Sequence, residues 1–344
     1  MVIVNNAEQF RNAIVAFEET VELKTYDPVN LINQTYKKYP EVLGYLCSLN
    51  TAPSFYGKVV VNLKYRNQDV PLKFIKLANT DEKFLDFMHE TVSYYRLKSV
   101  IILKNGVRWE QLYQEFFDEY HAYYSNLTQI QVEGYSTFDD DKIAVTLNCS
   151  YRIGSIMLGI MERAVDEEVA RLKQVLFCDA MPDRIKAYVA HNYLAKSITY
   201  YNRDDASPLD RSYMQSAYGA LINKKCVCQG YAEAYKRILD EIGIENGIIC
   251  GKIIGSEEYH AWNVIVLDGK AYHVDVTWDS LGNGAKNDEH FAKNDDYFKS
   301  TRIWARRPKY VCNSTVNILP EIRAEIIMNT RKYILAGVDR NYLR

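Results

Sequence analysis

The pattern of hydrophobic and polar positions in the N-terminal half predicts two similar α/β units. Short β-branched runs begin at Val2 and Val100, and each is followed by a polar segment and then by apolar residues at helical spacing. Each unit closes on a run that begins at Lys58 or Lys142 and alternates between apolar and polar residues. Such alternation, rich in Val, Ile and Tyr, is typical of a half-buried strand.

We expect these two copies to occupy residues 1–66 and about 98–153, with a helix over 81–95 between them. Two copies are too few for a solenoid, so a paired scaffold or a binding region is favoured.

The pattern changes after Arg152, which indicates a domain boundary. Helices are predicted from the spacing of apolar residues over 156–176, 182–197 and 320–335. We therefore expect an α+β fold, with the repeated units in a domain of residues 1–153 and a second domain of residues 154–344.

A further helix is predicted to begin at Cys228. Its apolar stripe recurs from Tyr231 to Ile242, and Gly243 is a plausible stop signal. Unpaired N–H groups and the helix dipole favour a thiolate at a helix N-terminus. The backbone N–H of Cys228 could also stabilise an oxyanion there.

An Asp-Gly pair between two alternating runs predicts a β-hairpin further along the chain. With a two-residue loop at 268–269, Leu267 pairs with Lys270. This turn fixes the register of both strands, because a slip of one residue turns each side chain to the other face.

Continued along the strands, the register brings two polar side chains to one face. His260 is expected opposite Thr277, and Asp275 opposite Trp262. His260 and Asp275 are then diagonal neighbours, roughly 7–8 Å apart, which an imidazole and a carboxylate can bridge. Trp262 lies on the same face and would shield the bond between them.

Cys228, His260 and Asp275 therefore form a candidate nucleophile–base–orienter set. Cys228 would attack as a thiolate, His260 would carry the proton, and Asp275 would fix the histidine tautomer and support the imidazolium. Two alternatives remain open. His273 shares the predicted face with His260 and is a second candidate base, and Cys226 is a second candidate nucleophile.

Composition and charge exclude several classes of function. Across 344 residues, 42 Lys and Arg face 44 Asp and Glu, so the net charge of −2 gives no basic footprint for nucleic acid or an anionic membrane. The seven cysteines lack disulfide or zinc spacing, so we expect free thiols, no metal and no cofactor. With no bilayer-spanning run and no secretory signal, we expect a cytoplasmic protein, unless a leader has been trimmed from the sequence.

Three ordered motifs resemble the transglutaminase-like superfamily, and are most similar to its bacterial cysteine peptidase branch. The motifs are Cys-Gln-Gly-Tyr-Ala at 228–232, His-Ala-Trp-Asn at 260–263 and Tyr-His-Val-Asp-Val-Thr-Trp-Asp at 272–279. The resemblance covers roughly residues 185–312. It implies a papain-like core, in which the Cys helix packs on an antiparallel sheet bearing His and Asp, and it implies the same triad of Cys228, His260 and Asp275.

The resemblance also implies a second oxyanion donor, usually a side chain upstream of the cysteine. Tyr218 is one candidate, Gln229 directly after the nucleophile is another, and Trp262 is a third candidate for contact with substrate or oxyanion. Lys225 and Cys226 stand where the branch often has glycine, so the approach loop is expected to be tighter. No calcium site of the animal transglutaminases is visible.

The leading hypothesis is a thiol-dependent hydrolase that cleaves amide bonds of a peptide or protein through an acyl-enzyme. An amine acceptor in place of water would make the protein a protein-glutamine amine acyltransferase with the same triad. A third possibility is a catalytically idle binding or scaffold protein. The expected partners are a peptide or protein substrate and a protein bound by the N-terminal units.

Overall fold

The chain separates into two compact units. The computed structural model describes residues 2–25, 27–53, 58–123, 126–201, 206–256, 259–280, 288–304 and 311–343. The first unit comprises residues 1–118 and 129–150, and the second comprises residues 119–128 and 151–344. The inclusion of 119–128 in the second unit was not expected from the sequence.

The elements follow in chain order. The first half contains β1 (Val2–Val4), α1 (Ala7–Val15), β2 (Thr20–Lys24), α2 (Pro28–Lys38), β3 (Leu46–Pro53), β4 (Lys58–Tyr65), β5 (Ile75–Ala78), α3 (Asp81–Ser93), β6 (Lys98–Lys104), α4 (Trp109–Tyr123), β7 (Leu127–Ser136) and β8 (Lys142–Tyr151). The second half contains α5 (Ser155–Leu176), α6 (Asp183–Ser197), β9 (Thr199–Tyr200), α7 (Pro208–Met214), α8 (Ala217–Leu221), β10 (Lys225–Cys226), α9 (Cys228–Glu241), β11 (Asn246–Ile253), β12 (Tyr259–Leu267), β13 (Lys270–Val274), α10 (Val276–Ser280), α11 (Asp295–Lys299), β14 (Arg302–Ile303) and α12 (Leu319–Leu335).

The first half forms two four-stranded sheets with the same strand order. The orders are β1-β2-β4-β3 and β5-β6-β8-β7. In each sheet the first pair of strands is parallel and the next pair is antiparallel. A parallel pair needs a crossover connection, and here α1 and α3 lie in those connections.

These sheets differ from the predicted copies. The second sheet begins with β5, at Ile75–Ala78, whereas the second copy was expected to begin at about residue 98. By strand order, β6 corresponds to β2, although the sequence comparison matched it to β1. The physical reason is that β5 has only four residues, too few to reveal an alternating pattern. The expected helix over 81–95 is confirmed as α3, which begins after the capping side chain of Thr80.

The second unit places helices against an antiparallel sheet of order β13-β12-β11-β14. The helices expected over 156–176, 182–197 and 320–335 are confirmed as α5, α6 and α12. Helix α9 contacts β11 and β12, and its buried stripe joins the main core of this unit. Its tyrosine hydroxyls are satisfied, because Tyr231 donates to the Ile198 carbonyl at 2.9 Å and Tyr235 to the Ala187 carbonyl at 3.0 Å.

A glycine lets the first turn of α9 approach the preceding chain closely. A Cβ atom at Gly230 would lie 2.5 Å from the Cβ of Cys226 and 2.8 Å from the Met214 carbonyl oxygen. We expect Gly230→Ala to destabilise the second unit by about 1–3 kcal/mol, because backbone and core atoms would have to move. Gly159→Ala in α5 is the matched control, because open space surrounds that position and alanine favours a helix by about 0.5–1 kcal/mol. Thermal unfolding of both variants checks this, and equal melting temperatures would contradict the close approach.

Candidate active site

Cys228 lies in the first turn of α9, as the sequence predicts. The helix begins at Cys228, after Val227 in extended conformation, and Gly243 has a φ of +75° just beyond its end. Cys228 is partly exposed. The Asn263 side chain donates to the Ala232 carbonyl at 2.9 Å, which ties α9 to β12. The helix and the strand therefore hold a fixed relation at the site.

The predicted hairpin register is confirmed over the observed ladder. Leu267 pairs with Lys270 and Asn263 pairs with Val274, and Asp268 has the positive φ that a tight two-residue turn requires. The prediction that the ladder continues to His260 and Thr277 was wrong. Strand β13 ends at Val274, and Thr277 lies in α10 rather than opposite His260.

Asp275 accounts for the end of the strand. Its Oδ1 accepts a hydrogen bond from the Trp278 backbone N–H at 3.1 Å, three residues along the chain. A carboxylate in this position caps the start of a helix, so the backbone turns into α10 instead of extending the ladder. The turn also leaves Oδ2 of the same carboxylate directed at other partners.

His260 and Asp275 are in direct contact. His260 Nε2 lies 2.7 Å from Asp275 Oδ2, and both side chains are buried. Burial disfavours the imidazolium, but the charge and hydrogen bond of Asp275 outweigh that effect and raise the pKa of His260 well above its usual range. Burial alone would raise the pKa of Asp275, but His260 and Arg302 together hold it well below its usual range.

The candidate nucleophile also affects His260. Interaction with the Cys228 side chain is, after Asp275, among the influences that raise the pKa of His260. Because Asp275 engages Nε2, Nδ1 is the ring nitrogen left for the thiol. The structure thus brings His260 and Asp275 into direct contact, and Cys228 lies close enough to influence the charge of His260.

His273, the alternative base, is held elsewhere. Its Nδ1 lies 3.1 Å from Trp262 Nε1, and its Nε2 lies 2.8 Å from Asp295 Oδ1. Burial lowers the pKa of His273 to about 4, against the opposing effect of Asp295. Cys226, the alternative nucleophile, is fully buried, and burial raises the pKa of its thiol well above its usual range.

The candidate oxyanion and substrate residues occupy three different environments. Trp262 is buried, its ring lies parallel to that of His260 at 6.0 Å, and its indole N–H is given to His273. Gln229 is buried and donates to Glu233 Oε1 at 3.0 Å. Tyr218 lies in α8, partly buried against the core.

A cluster of possible metal ligands lies close by, within the described part of the chain. The donor atoms of His273, Asp295 and Cys312 lie within 4.8 Å of one another. The indole of Trp262 can only donate, so Nδ1 of His273 must accept, and Nε2 carries the proton given to Asp295. Nε2 in this tautomer has no lone pair for a metal. Burial raises the pKa of Cys312 to about 12, which keeps its thiol protonated.

Two further charged groups that the sequence reasoning missed bear on Asp275. Arg302, on β14, donates from Nη2 to Asp275 Oδ2 at 2.5 Å. Asp279, on α10, contacts His191 Nε2 at 2.9 Å and His290 Nδ1 at 2.8 Å, and the His290 carbonyl accepts from the Asp275 N–H at 3.1 Å. No local motif marks Arg302, because it lies 27 positions from Asp275 in the chain. Asp279 is the last residue of the motif at 272–279, but its two histidine partners, His191 and His290, come from other segments.

Glu233 links the first turn of α9 to the start of α8. Its Oε2 accepts from the Ala217 N–H at 3.0 Å, and its Oε1 accepts from Gln229. Burial raises the pKa of Glu233 to about 8. The carboxyl thus stays neutral in the folded protein at pH values where the unfolded chain has lost the proton, so its contribution to stability falls as the pH rises from about 4.3 to about 8.

We expect Glu233→Gln to flatten this pH dependence. Relative to the wild type, the free energy of unfolding of the variant should improve by on the order of a few kcal/mol between about pH 5 and pH 8.5. Urea unfolding at both pH values measures the change. Glu241→Gln, at an exposed position of the same helix, is the control. A parallel pH dependence in wild type and Glu233→Gln would contradict the assignment.

Comparison with known proteins gives a family match within the second unit. Residues 172–276 match the family model of the transglutaminase-like superfamily, and this range contains Cys228, His260 and Asp275. The chain therefore carries a transglutaminase-like domain, as the motifs predict. No curated protein gives a significant match.

Solved structures offer only distant likenesses. The chain is similar to a TGase at 10% identity over 96% of both chains, with a TM-score of 0.32. It is similar to a candidate cysteine protease from Cytophaga hutchinsonii at 10% identity over 52% of this chain and 64% of that one, with a TM-score of 0.27. Menin gives 16% identity over 52% of this chain and 43% of that one, with a TM-score of 0.30. At these scores the likeness does not identify an activity.

Among the described helices, none has both the length and the apolar character needed to cross a membrane.

Proposed function

We propose that the second unit is a thiol-dependent hydrolase that cleaves amide bonds of a peptide or protein substrate. The observation that carries the proposal is one buried imidazole, His260, which is bonded to Asp275 and whose charged form is also favoured by the partly exposed residue Cys228. The family match over 172–276 supports the same conclusion, because all three residues fall inside it.

The chemistry has two stages. The thiolate of Cys228 attacks the amide carbonyl carbon, the C–N bond breaks, and the amine leaves with a proton from His260. Neutral His260 then takes a proton from water, whose oxygen attacks the thioester and releases a carboxylic acid and the thiolate. The backbone N–H of Cys228 is the proposed oxyanion donor, since N–H groups in a first helical turn lack intrahelical acceptors.

Two finer assignments also belong to this proposal. We propose a papain-like arrangement in which α9 packs on the antiparallel sheet, supported by the contacts of α9 with β11 and β12. We also propose that residues 1–153 bind a substrate or protein partner, and that Tyr218, Gln229 and Trp262 border the reacting group. For Trp262 this role is limited to packing, because its N–H is engaged by His273.

One experiment tests both whether the reaction occurs and whether water or an amine accepts the acyl group. The purified chain is incubated with glutamine-containing peptides, with and without a biotin-labelled primary amine, and then quenched in acid for mass spectrometry. We expect a thioester on the peptide that carries Cys228, and products with a new carboxyl group when the amine is absent. Products formed only with the amine would replace hydrolysis by acyl transfer. A folded protein that gives no thioester and no product would make the unit an idle binding protein.

A further inference from the structure

Arg302 is a buried cation that contacts the candidate triad from a separate strand. It is 1% exposed, and its Nη2 reaches the same Asp275 oxygen that receives His260 Nε2. Its guanidinium carbon lies 3.8 Å from the centre of the Trp278 ring and 4.4 Å from that of Phe298. An arginine stacked in this way is held in place by packing as well as by charge.

Resting on the proposed function, we infer that Arg302 is a positioning residue that fixes the Asp275 carboxylate and limits how strongly it attracts the proton of His260. Asp275 Oδ2 is shared between two cationic groups, so neither receives the full charge of the carboxylate. Asp275 beside Arg302 is therefore a weaker partner for the imidazole than an isolated carboxylate in the same position.

Burying Arg302 costs stability. Its Nε is buried and has no hydrogen-bond partner among the described residues, and Nη1 donates to Thr301 Oγ1 at 2.7 Å. A buried donor without a partner destabilises the fold. Packing alone would be served by an apolar side chain of similar volume, so the charge itself points to a role at Asp275.

The ionisable groups around the pair come from every neighbouring element of the unit. They are Cys228 on α9, His273 on β13, Asp279 on α10, Asp295, Tyr297 and Lys299 on α11, and His290. Of the ionisable side chains described, His260 and Arg302 are the ones bonded to the Asp275 carboxylate. A change at position 302 should therefore alter the pKa of His260 before that of other groups.

The test compares Arg302→Gln, which removes the charge but keeps a donor, with Arg302→Lys, which keeps the charge. Ring signals of the six histidines are followed by NMR from about pH 5 to pH 12 without substrate, and His260→Gln assigns the His260 signal. In Arg302→Gln we expect the titration midpoint of His260 to rise by at least about 1 pH unit. The His260 Nε2 proton should also move downfield, because Asp275 no longer shares its charge.

Arg302→Lys should keep the midpoint of His260 within about 0.5 pH unit of the wild type, even if the variant melts at a lower temperature. Arg323→Gln, which removes a guanidinium bonded to Asp288, is the control and should leave His260 unchanged. If Arg302→Gln lowers only the melting temperature, with neither the midpoint nor the Nε2 proton moved, the inference is overturned. If Arg302→Gln does not fold, a larger displacement in Arg302→Lys overturns it.

The same measurements separate this inference from the proposed function. If the wild type forms no acyl-enzyme but the His260 midpoint shifts in Arg302→Gln, the proposed reaction is wrong and the electrostatic role of Arg302 is supported. If the wild type forms the acyl-enzyme but the His260 midpoint does not shift in Arg302→Gln, the proposed reaction is supported and the role of Arg302 is wrong.

Discussion

Cys228→Ala is expected to abolish acyl-enzyme formation and to lower peptide cleavage by at least about 10⁴-fold, because the proposed reaction has no other nucleophile. The side chain is partly exposed at the start of α9, so the loss of its sulfur should change the melting temperature little. Mass-resolved alkylation gives a second readout. In the wild type, Cys228 should react with iodoacetamide before the other cysteines at about pH 6, because the imidazolium of His260 favours its thiolate.

Cys226→Ala is the matched control. Cys226 precedes the nucleophile by two residues, and burial keeps its thiol protonated. This variant should retain the cleavage rate within a few-fold and lose about 1 kcal/mol or more of stability, because a buried sulfur is removed. If Cys226→Ala abolishes the acyl-enzyme and Cys228→Ala does not, the assignment of the nucleophile is wrong.

Asp275→Asn is expected to lower the acylation rate by about 10³- to 10⁴-fold. The carboxylate charge is the main favourable influence on the imidazolium, so its removal should lower the pKa of His260. At neutral pH the ring would then be mostly neutral, and the ion pair with Cys228 would be lost. The rate of Cys228 alkylation at about pH 6 should fall with the cleavage rate. An unchanged rate in a folded variant would exclude Asp275 from the mechanism.

The same substitution should also destabilise the unit strongly. Arg302 would keep its charge in a buried site without a carboxylate, and breaking a buried ion pair costs about 3–5 kcal/mol. Because the pKa of Asp275 is lowered in the folded state, its stabilisation is present above the unfolded value of about 3.9 and is lost as the pH falls below it. The deficit of the variant should therefore be largest near neutral pH and shrink in acid.

Asp268→Asn is the matched control for both readouts. It makes the same chemical change at an exposed position of the hairpin turn, where the positive φ of +51° suits asparagine. We expect the cleavage rate and the free energy of unfolding to stay near those of the wild type. Denaturant unfolding between about pH 3 and pH 7 compares the two variants.

The sequence by itself determined the elements that carry the candidate site. The apolar stripe of α9 and the Asp-Gly turn after β12 are local signals, and each fixes its element without reference to the rest of the chain. The register of the hairpin then followed from Leu267 and Lys270, and it was confirmed. The domain match over 172–276 agrees with motifs that are contiguous in the chain.

Only the tertiary structure decided how the charges are paired. Arg302 reaches Asp275 across 27 positions of sequence, and His273 is held by Trp262 and Asp295. A periodic pattern reports which side chains are buried, but it does not report which buried group receives which proton. That choice depends on distances of about 3 Å between atoms of distant segments, and the folded chain alone brings those atoms together.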